Sequence, residues 1–307
     1  MGHNPTMSQR LHLIDASPLL FRAWFSMPSS IVCPKGRPTG ALHGFLGALV
    51  RLAREERPQA LVVAFDESLN TSFRNEIYPG YKAGRDLPPP ELETQCRLAI
   101  QVAEAFGALC LVHDRFEADD LIAGALAAWL EGPGDRTGTI VTIDKDLGQL
   151  IEPRVELFDF TKGVRWDAAA LEEKFGVAPA VLPDYQGLAG DPVDSIPGVR
   201  GIGAKTAAFL IATFGDLEGV YADLEAVAAS SIRGSKGIAE KLAAERDQAF
   251  LSRDLARLAT DPVREDGCVP DDLHELSWKG ADRKRLDSLC EQLGFRSVTS
   301  RVPYFEG

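Results

Sequence analysis

The sequence predicts an α/β protein, a mostly parallel sheet flanked by helices with an all-helical second half. Three short apolar runs carry the first part of that reading: LHLID (11–15), LVVAFD (61–66) and TIVTID (139–144), each ending in an aspartate. Runs of this kind set between helical stretches read as buried parallel strands. Strand-like and helix-like segments alternate from residue 10 to residue 160, as βαβ units do. After Trp166 the strand-like runs nearly vanish.

The elements follow in order. Residues 17–27 and 40–56 read as helices, the second with Leu42, Phe45, Leu46, Leu49 and Leu52 at helical spacing. A long interruption then holds YPGYKAGR (78–85) and Pro88-Pro-Pro90, and ends in a helix over 91–106. Residues 109–112 form a strand, and the helix over 118–131 is stopped by Gly132-Pro-Gly-Asp135. Strands at 139–143 and 155–158 complete the sheet. Helices are expected at 168–175, 179–188, 204–214, 217–221, 238–244, 247–258 and 282–293, with 230–237 the most flexible-looking stretch. The predicted division is an α/β core over 8–166 with an insertion at 68–106, then a helical domain over 167–307 with a glycine turn at 190–214.

The 307 residues are 45% hydrophobic and 25% charged, an ordinary globular composition. No apolar run reaches the ~18–20 residues of a membrane span, and the N-terminus lacks the pattern of a secretory signal. Five cysteines, at 33, 96, 110, 268 and 290, include no CxxC pair. That argues against a disulfide framework or a zinc site and suits a reducing cytosol. A net charge of −12 argues against a nucleic-acid binder. The balance misleads if many acids are metal ligands gathered in one cleft, where local basic patches decide.

The acids do form such a pattern. Asp15, Asp66 and Asp144 close the three apolar runs, at the strand edge where open α/β sheets bind ligands. Glu117, Asp119 and Asp120 open a helix; Asp146 follows Asp144; Asp191 and Asp194 precede the glycine turn. Capping explains any one of them. It does not require three like strand ends plus two acidic clusters. An all-oxygen set suits Mg²⁺ or Mn²⁺, and so many carboxylates suit two ions, the usual arrangement for phosphodiester cleavage. Asp15, Asp66, Glu117, Asp120, Asp144 and Asp146 are the expected core ligands, with Asp119, Asp191 and Asp194 outer or water-mediated.

The turn IPGVRGIGAKT (196–206) superficially resembles a phosphate loop, but Ala204 stands where a Walker loop needs glycine, and no strand precedes it. It reads instead as a hairpin between helices. Gly198, Gly201 and Gly203, with Lys205 and Thr206, would grip a nucleic-acid phosphate. Arg74, Lys82 and Arg85 are interleaved with Phe73, Tyr78 and Tyr81, as suits a single strand tracked by cations and stacked on aromatics.

Together these motifs resemble the 5′-nuclease or flap-endonuclease family, in the bacterial form found at the N-terminus of DNA polymerase I and as free-standing 5′–3′ exonucleases. The carriers are LIDAS (13–17), AFD (64–66), FRNEIYPGYKAGR (73–85), EADD (117–120), DKDL (144–147) and GDPVDSIPGVRGIGAKT (190–206), in order along nearly the whole chain. The resemblance implies a PIN-like core and two divalent metals on the acids. It implies that the insertion is a helical arch passing a 5′ end or flap, with Lys82 and Arg85 directed at the scissile phosphate. A helix-hairpin-helix type turn would hold the duplex, with a potassium ion on the carbonyls of Val199 and Ile202. Hydrolysis would leave a 5′-phosphate and a 3′-hydroxyl, in replication and repair.

Departures from the family pattern are Pro192, Val193 and Ser195 in the acidic turn, His43 where an aromatic is common, and Gly148 where tyrosine is frequent. The expected partner is DNA with 5′ ends, flaps or nicks, bound by a monomer in the bacterial cytosol, with functional coupling to a separate DNA polymerase. The alternatives are a non-catalytic binder of branched DNA, which would tolerate loss of acids, or an RNA-directed relative. A small-molecule phosphatase would need neither the glycine turn nor the basic insertion.

Overall fold

The computed structural model describes residues 9–67, 71–85, 87–295 and 298–304, apart from the side chain of Thr299. Its first half comprises β1 (Gln9–Asp15), α1 (Ala16–Ser26), α2 (Gly40–Glu56), β2 (Ala60–Asp66), α3 (Phe73–Ile77), α4 (Pro90–Ala105), β3 (Leu109–His113), α5 (Ala118–Leu130), β4 (Arg136–Val141), β5 (Val155–Asp159) and β6 (Val164–Trp166). The strands lie in the order β3-β2-β1-β4-β5-β6, all parallel except β6, which runs against β5. Strand order reverses beside β1, which pairs with β2 on one side and β4 on the other. That is a topological switch point, where the carboxyl ends of the strands leave a crevice.

Side-chain alternation builds a core on each face of the sheet. Leu11, Leu13, Val62 and Ala64 bury against Leu121, Ile122 and Ala125 of α5. Ile14, Leu61, Val63 and Phe65 bury against Leu42, Phe45, Leu46 and Leu49 of α2. The helix expected to close the insertion belongs to this second core: Leu92, Ala99, Val102 and Ala103 of α4 are buried there. Residues 90–105 of the insertion expected over 68–106 thus belong to the core, and residues 68–70 and 86 lie outside the described set.

The second half comprises α6 (Ala168–Phe175), α7 (Leu182–Ala189), α8 (Ala204–Phe214), α9 (Leu217–Ala222), α10 (Leu224–Ala229), α11 (Ser235–Ala244), α12 (Arg246–Ala256), α13 (Thr260–Glu265) and α14 (Arg283–Leu293). The short α10 and α13 and the edge strand β6 have too few residues to show a period in the sequence. Leu182, Leu188, Val199, Leu210 and Leu242 extend the core that starts at α5. The tail turns back: Trp278 N–H donates to the Gln59 carbonyl at 2.7 Å, and Leu286 and Cys290 of α14 join the opposite core. No helix among the described residues is long and apolar enough to cross a membrane.

Candidate active site

Backbone geometry delivers the acids to the switch point. Asp15 ends β1 and N-caps α1, accepting from the Ser17 N–H at 3.3 Å. Asp66 ends β2 and accepts from Ser17 Oγ at 2.7 Å and from the Ala118 N–H at 2.8 Å. β4 runs from Arg136 to Val141, ending two residues before the predicted strand end at 143. Asp144 thus lies in the following loop, held by its N–H to Thr142 Oγ1 at 3.0 Å, while the Thr142 hydroxyl donates to Asp15 Oδ2 at 2.9 Å. One threonine therefore sets the distance between two strand ends. Ser17 and Thr142 are site residues that the sequence reading passes over, although Ser17 closes the LIDAS motif and Thr142 lies in the TIVTID run; each stands two positions from an aspartate of the group.

Burial and mutual repulsion act together in this group. Burial, then Asp66 and Asp144, push the Asp15 carboxyl up to about 8. Asp119 lies well above the carboxylate range because of burial and the charges of Asp144, Asp15 and Asp66, with Lys82 opposing. Asp15, Asp66, Asp119 and Asp144, from four separate segments, thus lie near enough for their charges to act on the Asp15 and Asp119 carboxyls. Asp146 is pushed up to about 6 by burial and by Asp144.

The helix-opening acids exchange the roles expected of them. Successive helical residues project about 100° apart, so Asp119 and Asp120 of α5 cannot share a face. Asp119 joins the aspartate group. Asp120 is 0% exposed and saturated: it accepts Arg74 Nη1 at 2.7 Å, Arg74 Nη2 at 2.8 Å, the Ala259 N–H at 2.9 Å and the Glu117 N–H at 3.1 Å. Its oxygens have no capacity left for an ion, which corrects the expectation of a core ligand. Arg74 is corrected with it. At 2% exposure it lies beneath the surface, its Nε and Nη2 also bonded to the carbonyls of Leu255 and Arg257, and no DNA strand reaches it.

Tyr81 is likewise buried, at 3% exposure, with its hydroxyl donating to Glu117 Oε2 at 2.9 Å. It is thus a prop for Glu117 and not a stacking platform. Lys82 does reach the acids: its Nζ lies 2.9 Å from Glu117 Oε1 and 3.7 Å from Asp194 Oδ2. Its backbone takes a left-handed φ of 52°, and its N–H donates to the Asp194 carbonyl at 3.0 Å. For a non-glycine residue that conformation is uncommon and tends to occur at functional sites. Burial opposes the ammonium charge, but Glu117 and Asp194 outweigh it and raise the Lys82 pKa. Arg85, half-exposed, pairs with Asp194 Oδ1 at 2.5 Å.

Asp191 and Asp194 sit on a pinched loop. Asp191 and Ile196 exchange backbone hydrogen bonds of 2.9 and 2.8 Å. Gly190 and Gly198, with φ of +71° and +62°, press backbone to backbone, and a Cβ on Gly198 would meet the Gly190 nitrogen at 2.4 Å. Lys145 joins Asp191 to Asp146, the latter at 3.1 Å, and Gln186 donates to Asp146 Oδ1 at 2.7 Å. Among the described residues, no three His, Cys, Asp or Glu side chains close around one point. Lysine and arginine hold the outer carboxylates instead. The inner aspartates still fit divalent cations by donor chemistry, since they are hard oxygens whose crowding only positive charge relieves.

On the glycine turn, Gly201, Gly203 and Lys205 are exposed at the start of α8, and Thr206 is half-buried. The Gly198 N–H is not available to a phosphate: it is buried and donates to Ser252 Oγ at 3.0 Å. Val199 and Ile202 have buried side chains, and the Val199 carbonyl accepts the Ile202 N–H at 3.0 Å.

Residues 10–176 match the profile of the 5′-3′ exonuclease N-terminal resolvase-like domain, and residues 177–284 that of the 5′-3′ exonuclease C-terminal SAM fold. The DNA polymerase I of Bacillus caldotenax is 36% identical over 96% of this chain and 32% of its own length. The chain spans about a third of the curated relatives it matches. A T5 5′-exonuclease structure described with bound divalent metal ions (zinc) superposes with a TM-score of 0.68 at 20% identity, covering 93% of this chain and 100% of that one. The catalytic core of Rad2 in complex with DNA substrate gives 0.62 at 17% identity, over 97% of this chain and 92% of that one. These two share the fold. With both profiles matched in order across residues 10–284, the chain belongs to the 5′-3′ exonuclease family.

Proposed function

We propose that this chain is a divalent-metal-dependent 5′–3′ exonuclease and 5′-flap endonuclease that hydrolyses DNA phosphodiester bonds by a two-metal-ion mechanism, in replication and repair. One observation supports this most: four aspartates from four separate elements crowd at the switch point, two of them held well above the carboxylate range. Asp15, Asp66, Asp119 and Asp144 would hold one Mg²⁺ or Mn²⁺; Glu117, Asp146, Asp191 and Asp194 would serve the second. Bound there, divalent ions activate water and neutralise charge on the phosphate oxygens.

The chain's own residues supply the rest. Lys82 and Arg85 leave Glu117 and Asp194 for the scissile phosphate, exchanging one anionic partner for another. Gly201, Gly203, Lys205 and Thr206 hold the duplex backbone, with the carbonyls of Val199 and Ile202 facing a potassium ion. Such contacts position a duplex without reading bases, so junction shape sets specificity. The metal-bound T5 exonuclease and the DNA-bound Rad2 core are the neighbours that support metal and DNA here. The polymerase relatives support work beside a DNA polymerase.

A 5′-labelled flap and a nicked duplex, incubated with and without Mg²⁺, test the reading. Ion-dependent release of short 5′-terminal products from DNA supports it. Binding without cleavage, or cleavage of the matching RNA flap alone, overturns it.

A further inference from the structure

Lys145 stands between Asp144 and Asp146, yet its ammonium turns away from Asp144. It bonds to Asp191 Oδ2, with Asp146 Oδ1 at 3.1 Å. The two carboxylates come from different halves of the chain. Asp146 follows β4 and is steadied by Gln186 of α7, while Asp191 lies on the loop pinched by Gly190 and Gly198. Lys145 is thus a cationic tie across the two halves, at oxygens assigned above to a second ion. Unlike the buried Arg74, its side chain is 41% exposed, and its unbranched stem can swing into solvent.

We propose that Lys145 is a positioning residue that stands in for a divalent cation. It holds Asp146 and Asp191 together in the ion-free protein and withdraws when the ion arrives. The inference rests on the metal reading of those acids and adds a competitor to it. An ammonium held on Asp191 Oδ2 and Asp146 Oδ1 repels a divalent ion approaching the same oxygens and occupies acceptor sites it would use, so the lysine lowers ion affinity while it preserves ligand geometry. A purely structural tie has the opposite consequence: loosening it would weaken ion binding.

The test is Mn²⁺ binding without DNA, read from the electron paramagnetic resonance of free Mn²⁺, for wild type, Lys145→Met, Lys145→Arg and Asp191→Asn. Thermal melting is recorded with chelator and with saturating Mn²⁺. Lys145→Met is expected to bind Mn²⁺ roughly three- to tenfold more tightly at the weaker site, the scale of losing one or two part-exposed ion pairs. It should melt lower than wild type in chelator and equal to it in Mn²⁺. Lys145→Arg, whose fork grips carboxylates more firmly, should bind the ion more weakly; this variant decides between the two roles if the methionine variant does not fold. Unchanged or weaker Mn²⁺ binding by Lys145→Met, with Asp191→Asn losing the ion, overturns the stand-in role alone. Mn²⁺ binding unaffected by Asp191→Asn overturns the ligand assignment and the inference with it.

Discussion

Arg74→Met is expected to destabilise the protein by about 3–5 kcal/mol, the usual cost of stripping one partner from a buried ion pair. The guanidinium holds Asp120 in a bidentate pair, touches Glu117 at 3.3 Å and ties the carbonyls of Leu255 and Arg257 to the α/β half. Methionine fills much of the volume and leaves Asp120 charged and unpaired in the core. The double variant Arg74→Met/Asp120→Leu should recover most of the loss, because removing both partners removes the uncompensated charge. Urea denaturation monitored by circular dichroism measures both. A single variant with wild-type stability and weakened DNA binding would return Arg74 to the DNA-tracking role that its sequence neighbours suggest.

Asp15→Asn should have two effects of opposite sign. Turnover should fall by orders of magnitude, since an inner ligand is lost. In chelator, however, the protein should become more stable by an amount on the order of 2–4 kcal/mol at pH 8, because one source of repulsion disappears. The sign follows from the shift. Asp15 titrates at about 8 in the folded protein against 3.8 when unperturbed. Ionisation therefore favours the unfolded chain increasingly as pH rises from about 4 to about 8. The advantage of Asp15→Asn should be small at pH 5 and largest at pH 8. Saturating Mg²⁺ should reverse it, since the ion binds the wild-type folded state. Asparagine retains an acceptor for the Ser17 N–H, so the α1 cap is not the variable. Melting curves in chelator and in Mg²⁺ at both pH values decide it. Lower stability of the variant in chelator at pH 8 would show that the acids are not mutually strained.

Much of this was legible in the sequence, for reasons that specific residues make plain. The strand ends at Asp15 and Asp66 were visible because a buried parallel strand needs an unbroken apolar run and its end is marked by the first charge. The pinched loop was not visible: the sequence assigned Gly198 to a phosphate grip, whereas Gly190 and Gly198 lie backbone to backbone with no room for a Cβ. What else stayed hidden depended on partners distant in sequence. Nothing near Asp120 announces that Arg74, 46 residues earlier, saturates it. Without that contact, Glu117 and Asp120 at i and i+3 look like a matched pair of ligands, and Asp119 looks incidental. Arg74 and Tyr81 read as surface residues because a basic–aromatic alternation suits a nucleic-acid loop. They are buried because the same segment folds down over α5. The helix over 91–106 read as part of an insertion because it follows one, but its apolar face packs in the core with α2.

If Asp15, Asp66, Asp119 and Asp144 gather to share cations, Mn²⁺-soaked crystals will show it by anomalous diffraction. One manganese peak is expected among these four carboxylates, and a second beside Asp146 and Asp191 with Lys145 swung aside. An empty cluster at saturating Mn²⁺, with Lys82 and Lys145 still on their carboxylates, would mean that the aspartates bind no ion there.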